Sequence, residues 1–315
     1  MAHMILENDN MVYTGAVPWH GIGISIPPTF TASEAMMAAG LNWNVELMDL
    51  AFVRNQQAVG IMPDHLAVVR TDKMIPLGVT SDRYKPLQNS EGFDVFQHVL
   101  DTGMASIETA GSLKNGAIVW ALAQIKDVEE EIVSKDTVKM YVLMSFGHDG
   151  KRAIRIGYTP VRVVCNNTLT VAENNNESKL VRVLHRGNVV QNVQALTKSM
   201  DLAAREFRMT TDQYRFLASR TVNREDLRQY VKTVLELNED STRSKNIIDF
   251  VMWKADHGIG NQESAGSWWS AYNSVTEYLN HDAGRNVDNR FASLWFGKNA
   301  TVNKTALTEA LRMAA

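Results

Sequence analysis

The sequence predicts an α+β fold in which an antiparallel sheet of about four or more strands packs with helices and is followed by a helical C-terminal region. Short apolar runs separated by turn residues fill the first half of the chain, and two of them flank an Asn-Gly dipeptide. Helical spacing of apolar residues dominates the last third of the chain. The 315 residues, of which 45% are hydrophobic, are ample for a large core.

The first hundred residues combine helices with strands. The segment TASEAMMAAG predicts a helix that begins at Thr31 or Ser33 and ends at Gly40. Two apolar runs that follow it have the composition of strands. A second helix is predicted next, with Ser90 as its cap and Gly103 as its stop.

The middle of the chain predicts two pairs of antiparallel strands. Asn115-Gly116 tolerates the positive φ angles of a type I′ turn, so strands are expected near 106–113 and 117–125. The second of these strands is apolar on both faces, which predicts that it is covered on both sides and lies centrally. A further pair is predicted on either side of the turn residues at 148–150.

A helix is predicted after the second strand pair. Thr159-Pro160 is a typical helix start because the missing N–H of proline is tolerated at the first helical position. Asn166 and Asn167 are poor helix formers in the middle of such a helix. Either the helix breaks there or the two side-chain amides have a specific partner, and the sequence leaves both alternatives open.

The rest of the chain is predicted to be helical, with one helix beginning at Asn223 and another ending at Gly258. We therefore divide the chain into a mixed α/β region over residues 1–187, whose antiparallel core covers about 106–186, and a helical region over 188–315. The two regions either pack as one unit or stand apart. One buried stripe is predicted from residues at helical spacing: Trp268, Tyr272, Val275 and Leu279.

Charge is unevenly distributed along the chain. The net charge is −3, but the segment from residue 151 to residue 186 has seven basic and two acidic side chains. Its local charge of +5 leaves −8 for the remainder. The basic residues are Lys151, Arg152, Arg155, Arg162, Lys179, Arg182 and Arg186.

This basic segment is the candidate nucleic-acid-binding surface. Arginine and lysine neutralise phosphates, and the interleaved Tyr158 and His185 could stack on bases. The run KLVRVLHR predicts a strand on which Arg182 and Arg186 share one face. A solvated face with scattered arginines explains the same charges. Asn166 and Asn167 are included among the candidate residues.

The string GAVPWHGIG is a second candidate binding element. Trp19 and His20 lie between glycines, so they could form a stacking platform beside a closely approaching backbone. In the alternative interpretation, Trp19 fills an edge of the core while the glycines make turns.

No motif predicts a cofactor or a metal. The chain lacks a GxxxxGK[ST] phosphate loop, and its histidines show no HxxxH or HExxH spacing. The single cysteine, Cys165, cannot form an internal disulfide and favours a reducing compartment. The acidic N-terminus is unlike an export signal, and the chain contains no apolar stretch of membrane-spanning length. We therefore expect a cytoplasmic protein without a membrane partner.

Six strings in order resemble the phage/plasmid-like family of uncharacterised proteins, which bacteriophages, prophages and plasmids carry. The resemblance spans nearly the whole chain and implies the cytoplasm of a bacterial host, with work in DNA replication, recombination or anti-defence. The strings are PWHGIG (18–23), RYKPLQN (83–89), AGSLKNGAIVWAL (110–122), SFGHDGKRAIRIGYTPVRVVCNNTL (145–169), GSWWSAYNSVTEYLNHDAG (266–284) and ASLWFGKNATVNKTAL (292–307).

A structural analogy narrows this to one leading hypothesis. A helix, a hairpin with further antiparallel strands and a following helix resemble the core of single-strand annealing proteins, which assemble as rings or filaments around a basic groove. The resemblance implies an oligomeric, non-enzymatic single-stranded-DNA-binding and annealing protein. Phosphate contacts would then come from Lys151, Arg152, Arg155 and Arg162, with Arg182 and Arg186 lining the same groove.

Two other hypotheses remain open. The first is a protein-binding anti-defence or host-takeover factor, whose acidic remainder would mimic DNA toward a host or phage protein partner. The second is an enzyme whose site assembles from dispersed residues, and it predicts a concave polar pocket with perturbed ionisable groups. Its candidate residues are His148, Asp149, Asn166, Asn167 and His281.

Overall fold

The computed structural model describes residues 11–15, 23–150, 154–162, 180–183, 207–284, 293 and 298–315. These residues form a seven-stranded sheet, a three-stranded sheet and a set of helices that dominates the C-terminal part. The α+β class expected from the sequence is confirmed, and the sheets are largely antiparallel.

The large sheet has the strand order β10-β9-β8-β7-β6-β1-β2, and the small sheet has the order β3-β4-β5. Within the described residues, β1 and β2 are the only parallel neighbours. The strands are β1 (Val12–Tyr13), β2 (Ile24–Ser25), β3 (Val45–Arg54), β4 (Gln57–Arg70), β5 (Ile75–Ser81), β6 (Ala105–Leu113), β7 (Ile118–Val133), β8 (Asp136–Gly147), β9 (Ile154–Arg162) and β10 (Leu180–Val183).

The central hairpin is confirmed, with a longer turn than the Asn-Gly dipeptide predicts. Leu113 pairs with Ile118, so the connection consists of residues 114–117. Positive φ angles occur at Lys114 as well as at Asn115 and Gly116. β7 is the middle strand of the large sheet, and residues 118–123 are all buried, as expected for a strand covered on both faces.

The pairing of β8 with β9 is also confirmed, but the helix start predicted at Thr159-Pro160 is wrong. Both residues belong to β9, whose register with β8 continues without interruption to Arg162. β10 pairs with β9 only as far as Gly157, so Pro160 has no neighbour on β10. The missing N–H of Pro160 therefore costs no hydrogen bond to β10. Continuous sheet pairing outweighs the local proline signal. The remainder of the predicted helix, from residue 163, lies outside the described residues.

The helices are α1 (Ala32–Ala38), α2 (Asn89–Leu100), α3 (residues 207–219), α4 (Arg224–Leu235), α5 (Thr242–His257), α6 (Trp268–His281) and α7 (Lys298–Ala314). Thr31 caps α1 with Glu34 as its capping-box partner, as predicted. Gln88 rather than Ser90 caps α2, because Gln88 and Glu91 form the reciprocal bonds there. The predicted limits at Asn223 and Gly258 are confirmed.

The buried stripe predicted on α6 is confirmed, and the whole helix is more enclosed than the stripe requires. The side chains on nearly every position of α6 are buried, including its serines and asparagines. Those polar groups are satisfied within the helix, as in the bond from Asn273 Nδ2 to Trp269 O (2.8 Å). α6 is therefore the central helix of the C-terminal part.

The small sheet packs against the turn-bearing end of the large sheet. Gly78 on β5 lies so close to Asp149 that a Cβ at position 78 would be 2.6 Å from Asp149 Cα. Only glycine permits this approach of two backbones. Buried apolar residues of both sheets and of the helices form one continuous cluster. The predicted boundary near residue 187 lies outside the described ranges. Among the helices described, none has the length and apolarity needed to span a membrane.

Candidate functional site

Two arginine positions lie opposite each other on β9 and β10, the neighbouring strands at one edge of the large sheet. Arg155 on β9 is the direct register partner of Arg182 on β10. Positions directly opposite in an antiparallel pair belong to the same face, and like charges placed there are destabilising. These two arginine positions at a sheet edge are therefore a candidate anion site, because arginine is well suited to bind phosphate and carboxylate groups.

Arg155 belongs to a row of register partners that crosses the sheet. Its register partner on β8 is Ser145, which is itself the partner of Trp120 on β7. Ser145 and Trp120 are buried, whereas the side chain of Arg155 is half-buried. The rigid centre of the sheet thus fixes the backbone position of Arg155.

The described residues do not bring all the predicted arginines to one surface. Position 162 is seven residues from Arg155 along an uninterrupted strand, so the two positions belong to opposite faces of the sheet. A binding surface on one face of the sheet would therefore include positions 155 and 182 without position 162. Eight other candidate residues lie outside the described ranges: Lys151, Arg152, Asn166, Asn167, Lys179, Arg186, Trp19 and His20.

A row of stacked aromatic side chains on α5 forms a second candidate surface, and sequence reasoning missed it. The rings of Phe250 and Trp253 are nearly parallel at 3°, with centroids 6.2 Å apart. Trp253 and His257 stack at 8° with centroids 4.9 Å apart. Trp253 exposes 51% of its surface and Phe250 39%. Exposed planar groups of this kind can accept a further planar ligand, such as a nucleobase.

The spacing of this aromatic row did not reveal its exposure. Phe250, Trp253 and His257 follow each other at i, i+3 and i+7, which is equally typical of a buried stripe such as that of α6. The packing of α5 decides which of its faces is exposed, and the face with Ile248 and Val251 is the buried one. An open cleft of about 580 Å³ lies beside the aromatic row. Its lining residues are Arg243, Asn246, Ile247, Phe250, Tyr278, Asp282 and Gly284.

A buried ion-pair network lies next to this cleft. Lys254 Nζ is 2.6 Å from Glu277 Oε1 and 3.1 Å from Asp282 Oδ2. Glu277 Oε2 also accepts a hydrogen bond from the backbone N–H of Ile259 (2.9 Å). Charges this deeply buried persist only when they are paired and hydrogen-bonded. The network joins the end of α5 to α6 and fixes the wall of the cleft.

His148, a residue of the dispersed-enzyme hypothesis, is fully buried between the two sheets. Asn89 Nδ2 donates to Leu41 O, which leaves Asn89 Oδ1 to accept a hydrogen bond from His148 Nε2 at 2.8 Å. Burial, together with the nearby charge of Arg70, lowers the pKa of His148 to about 4. His148 is therefore a neutral imidazole at neutral pH, and its bond to α2 is architectural.

Arg70 is the charged member of the same inter-sheet cluster and is only 2% exposed. Its guanidinium binds both carboxylate oxygens of Asp72, at 2.8 and 3.0 Å. It also donates to Asn115 O and lies 4.3 Å above the ring of Trp43. These contacts attach β4 to the β6–β7 turn, so Arg70 holds the two sheets together.

The other members of the dispersed-enzyme hypothesis are not brought together by the described residues. Asp149 follows His148 in the β8–β9 turn, whereas His281 ends α6. Asn166 and Asn167 lie outside the described ranges. Across the part of the chain that the structure describes, no three His, Cys, Asp or Glu side chains are grouped as metal ligands. The enzyme hypothesis remains a prediction.

Comparison with known proteins identifies the family. Residues 76–295 match the model of a domain of unknown function, DUF932, and the chain belongs to this family. The matched range extends from β5 to beyond α6 and includes the Arg155–Arg182 pair, the aromatic row and the Lys254 network. Neither the curated proteins nor the solved structures contain a match.

Proposed function

We propose that this chain is a single-stranded-DNA-binding and annealing protein of a phage or plasmid, that it works without enzymatic activity, and that it acts as a homo-oligomer in the cytoplasm of a bacterial host. The observation that carries the proposal is the direct cross-strand register of Arg155 with Arg182. Arginines at neighbouring positions of two paired strands suit the recognition of a phosphate, to which the guanidinium group donates more than one hydrogen bond.

The segment of sequence that contains this pair is strongly basic. The segment from residue 151 to residue 186 has a charge of +5, although the whole chain is acidic. If five to seven of its basic side chains contact single-stranded phosphates, the log-log slope of affinity against salt is roughly −3 to −5.

The aromatic row on α5 supports preference for a single strand. Bases are available for stacking only when they are unpaired, and each base stacked on an aromatic ring contributes about 1–3 kcal/mol. Phe250 and Trp253 present exposed ring surface for this purpose. The mobile-element origin in the proposal rests on the six strings that resemble phage and plasmid proteins.

The test is fluorescence anisotropy with labelled oligonucleotides of about 40 nucleotides, single- and double-stranded, between roughly 50 and 200 mM salt. We expect tight, salt-sensitive binding that prefers the single strand, and Arg155→Glu should weaken it at least tenfold. Arg208→Glu is the matched control, because Arg208 is an exposed arginine on α3. Equal effects of the two reversals, or a flat salt response, would contradict the proposal. No binding at low salt would instead favour the protein-binding alternative.

A further inference from the structure

The paired ends of β3 and β4 form a hairpin arm, defined here as residues 51–62. Ala51 pairs with Ile61 and Arg54 with Gln57, so the two strands hold each other up to the turn at Asn55-Gln56. β5 pairs with β4 only from His65 onward. Within the described residues, both outer edges of the arm therefore present unpaired backbone N–H and C=O groups.

The arm exposes large apolar side chains on both faces. Phe52 and Val53 are 55% and 62% exposed, and Ile61 and Met62 are 62% and 45% exposed. Successive residues of a strand point to opposite faces, so each of these pairs contributes to both surfaces. Val59 adds a further apolar side chain that is 56% exposed. A two-stranded ribbon with neither face covered is marginally stable in water, which indicates that the arm is built for a partner.

The side chains beside the β3 edge supply apolar contacts for such pairing. Phe52 and Val53 lie on opposite faces of β3, and each exposes more than half of its surface. When two β3 edges pair, these side chains contact their counterparts across the shared edge.

The charges of the arm favour a second copy of this chain over nucleic acid or an acidic partner. Between residues 51 and 62, Arg54 near the tip is the single charged side chain, and Asp49 lies at the base of the same strand. Antiparallel pairing of two β3 edges brings the tip of each arm toward the base of the other. Arg54 of one copy then approaches the Asp49 end of its partner, an attraction that occurs twice in a twofold dimer.

We propose that the hairpin arm is the self-association site of this protein: two copies pair the β3 edges of their arms, so that Phe52 and Val53 of each copy pack against those of the other. The proposal deepens the oligomeric part of the proposed function and rests on that part alone, not on DNA binding. The arm precedes residue 76, where the family match begins, so the contact belongs to the N-terminal part of the chain and not to the matched domain.

The test measures mass by sedimentation velocity without DNA, from about 1 to 50 µM protein. We expect the wild type to form dimers or larger species, and Val53→Lys to raise the dissociation constant of the dimer at least tenfold. Val53 lies on β3 and is 62% exposed, and Met209→Lys is the control, since Met209 on α3 has a similar exposure of 66%. A monomeric wild type, or a Val53→Lys variant that keeps the wild-type mass, would overturn the proposal.

A second variant guards against local misfolding of the arm. Ala51→Cys in a Cys165→Ser background keeps the arm sequence otherwise intact, and we expect oxidation to give a covalent dimer. Met209→Cys in the same background should remain monomeric on a denaturing gel. No cross-link at Ala51 above the Met209 level would count against arm pairing. Anisotropy on the same samples separates the two proposals, because arm variants should change mass while Arg155→Glu changes DNA affinity.

Discussion

Trp269 Nε1 on α6 donates a hydrogen bond to Asp136 Oδ2 at the start of β8, at 2.8 Å. Both side chains are 1% exposed, and they are 133 residues apart in sequence. Trp269 also packs against Tyr214 of α3, with ring centroids 4.7 Å apart. This buried contact ties the central helix of the C-terminal part to the edge of the β7–β8 hairpin.

Asp136→Ala should lower the free energy of unfolding by about 2 kcal/mol, because it leaves the buried indole N–H of Trp269 without this acceptor. Asp136→Asn keeps an acceptor oxygen on a side chain of nearly the same shape, and it should lower the free energy of unfolding by less than Asp136→Ala does. Urea denaturation followed by tryptophan fluorescence measures both. Equal losses in the two variants would show that the hydrogen bond is not the stabilising element.

The Lys254–Glu277 pair should behave as a coupled unit. Lys254→Met leaves the buried carboxylate of Glu277 without its cation, so we expect a loss of about 3–5 kcal/mol in unfolding free energy. The double variant Lys254→Met/Glu277→Leu removes the charge imbalance at Glu277 and should lose less than the sum of the single variants. A double-mutant cycle in urea gives the coupling energy. Additive losses would contradict the coupling.

Stability should fall on acidification because of His148. Its pKa is lowered to about 4 in the folded chain, compared with about 6.5 for an unperturbed histidine. Between about pH 4 and pH 6.5, His148 is protonated in the unfolded chain but neutral in the folded chain. The contribution of His148 to the free energy of unfolding is therefore complete above pH 6.5 and is lost as the pH falls toward 4. The loss amounts to on the order of 3 kcal/mol. Urea denaturation across this pH range should show a flatter profile for His148→Gln than for the wild type, and identical slopes would exclude His148 as the cause.

Trp253→Ala should separate DNA affinity from stability. Half of the Trp253 surface is exposed, so its truncation should change the unfolding free energy by less than about 1 kcal/mol. If the aromatic row stacks on bases, the same change should weaken single-stranded DNA binding by about 1–3 kcal/mol. Anisotropy titrations provide the affinity, with Met209→Ala as a control that removes an exposed apolar side chain elsewhere. An unchanged affinity in Trp253→Ala would remove α5 from the DNA interface.

Local signals in the sequence predicted most of the described elements. The caps at Thr31 and Asn223 and the hairpin at Asn115-Gly116 depend on nearby residues, and so they were readable from the sequence. The helix start at Thr159-Pro160 failed because pairing with β8, some twenty residues away, decides the backbone there. The cap of α2 moved from Ser90 to Gln88, whose side chain also bonds both backbone groups of Val45 on β3.

The candidate surfaces were harder to predict because they depend on register and exposure. The sequence identified Arg155 and Arg182 as basic, but only strand pairing places one directly opposite the other. The inter-sheet cluster of Arg70, Trp43 and His148 comes from three separate segments, and no spacing in the sequence links them. Likewise, nothing in the composition of residues 51–62 distinguishes an exposed arm from an ordinary buried hairpin.

The strand order has a consequence for how the chain folds. β6 to β9 are sequential neighbours, so they can assemble from local contacts as soon as each turn forms. β1 joins the same sheet by pairing Val12 with Ala110, across a separation of about a hundred residues that is slow to close. During synthesis the N-terminal segment must therefore wait for β6 to leave the ribosome. Until then β1 has no β6 strand to pair with, and this interval is when chaperone binding or misassembly would act on the nascent protein.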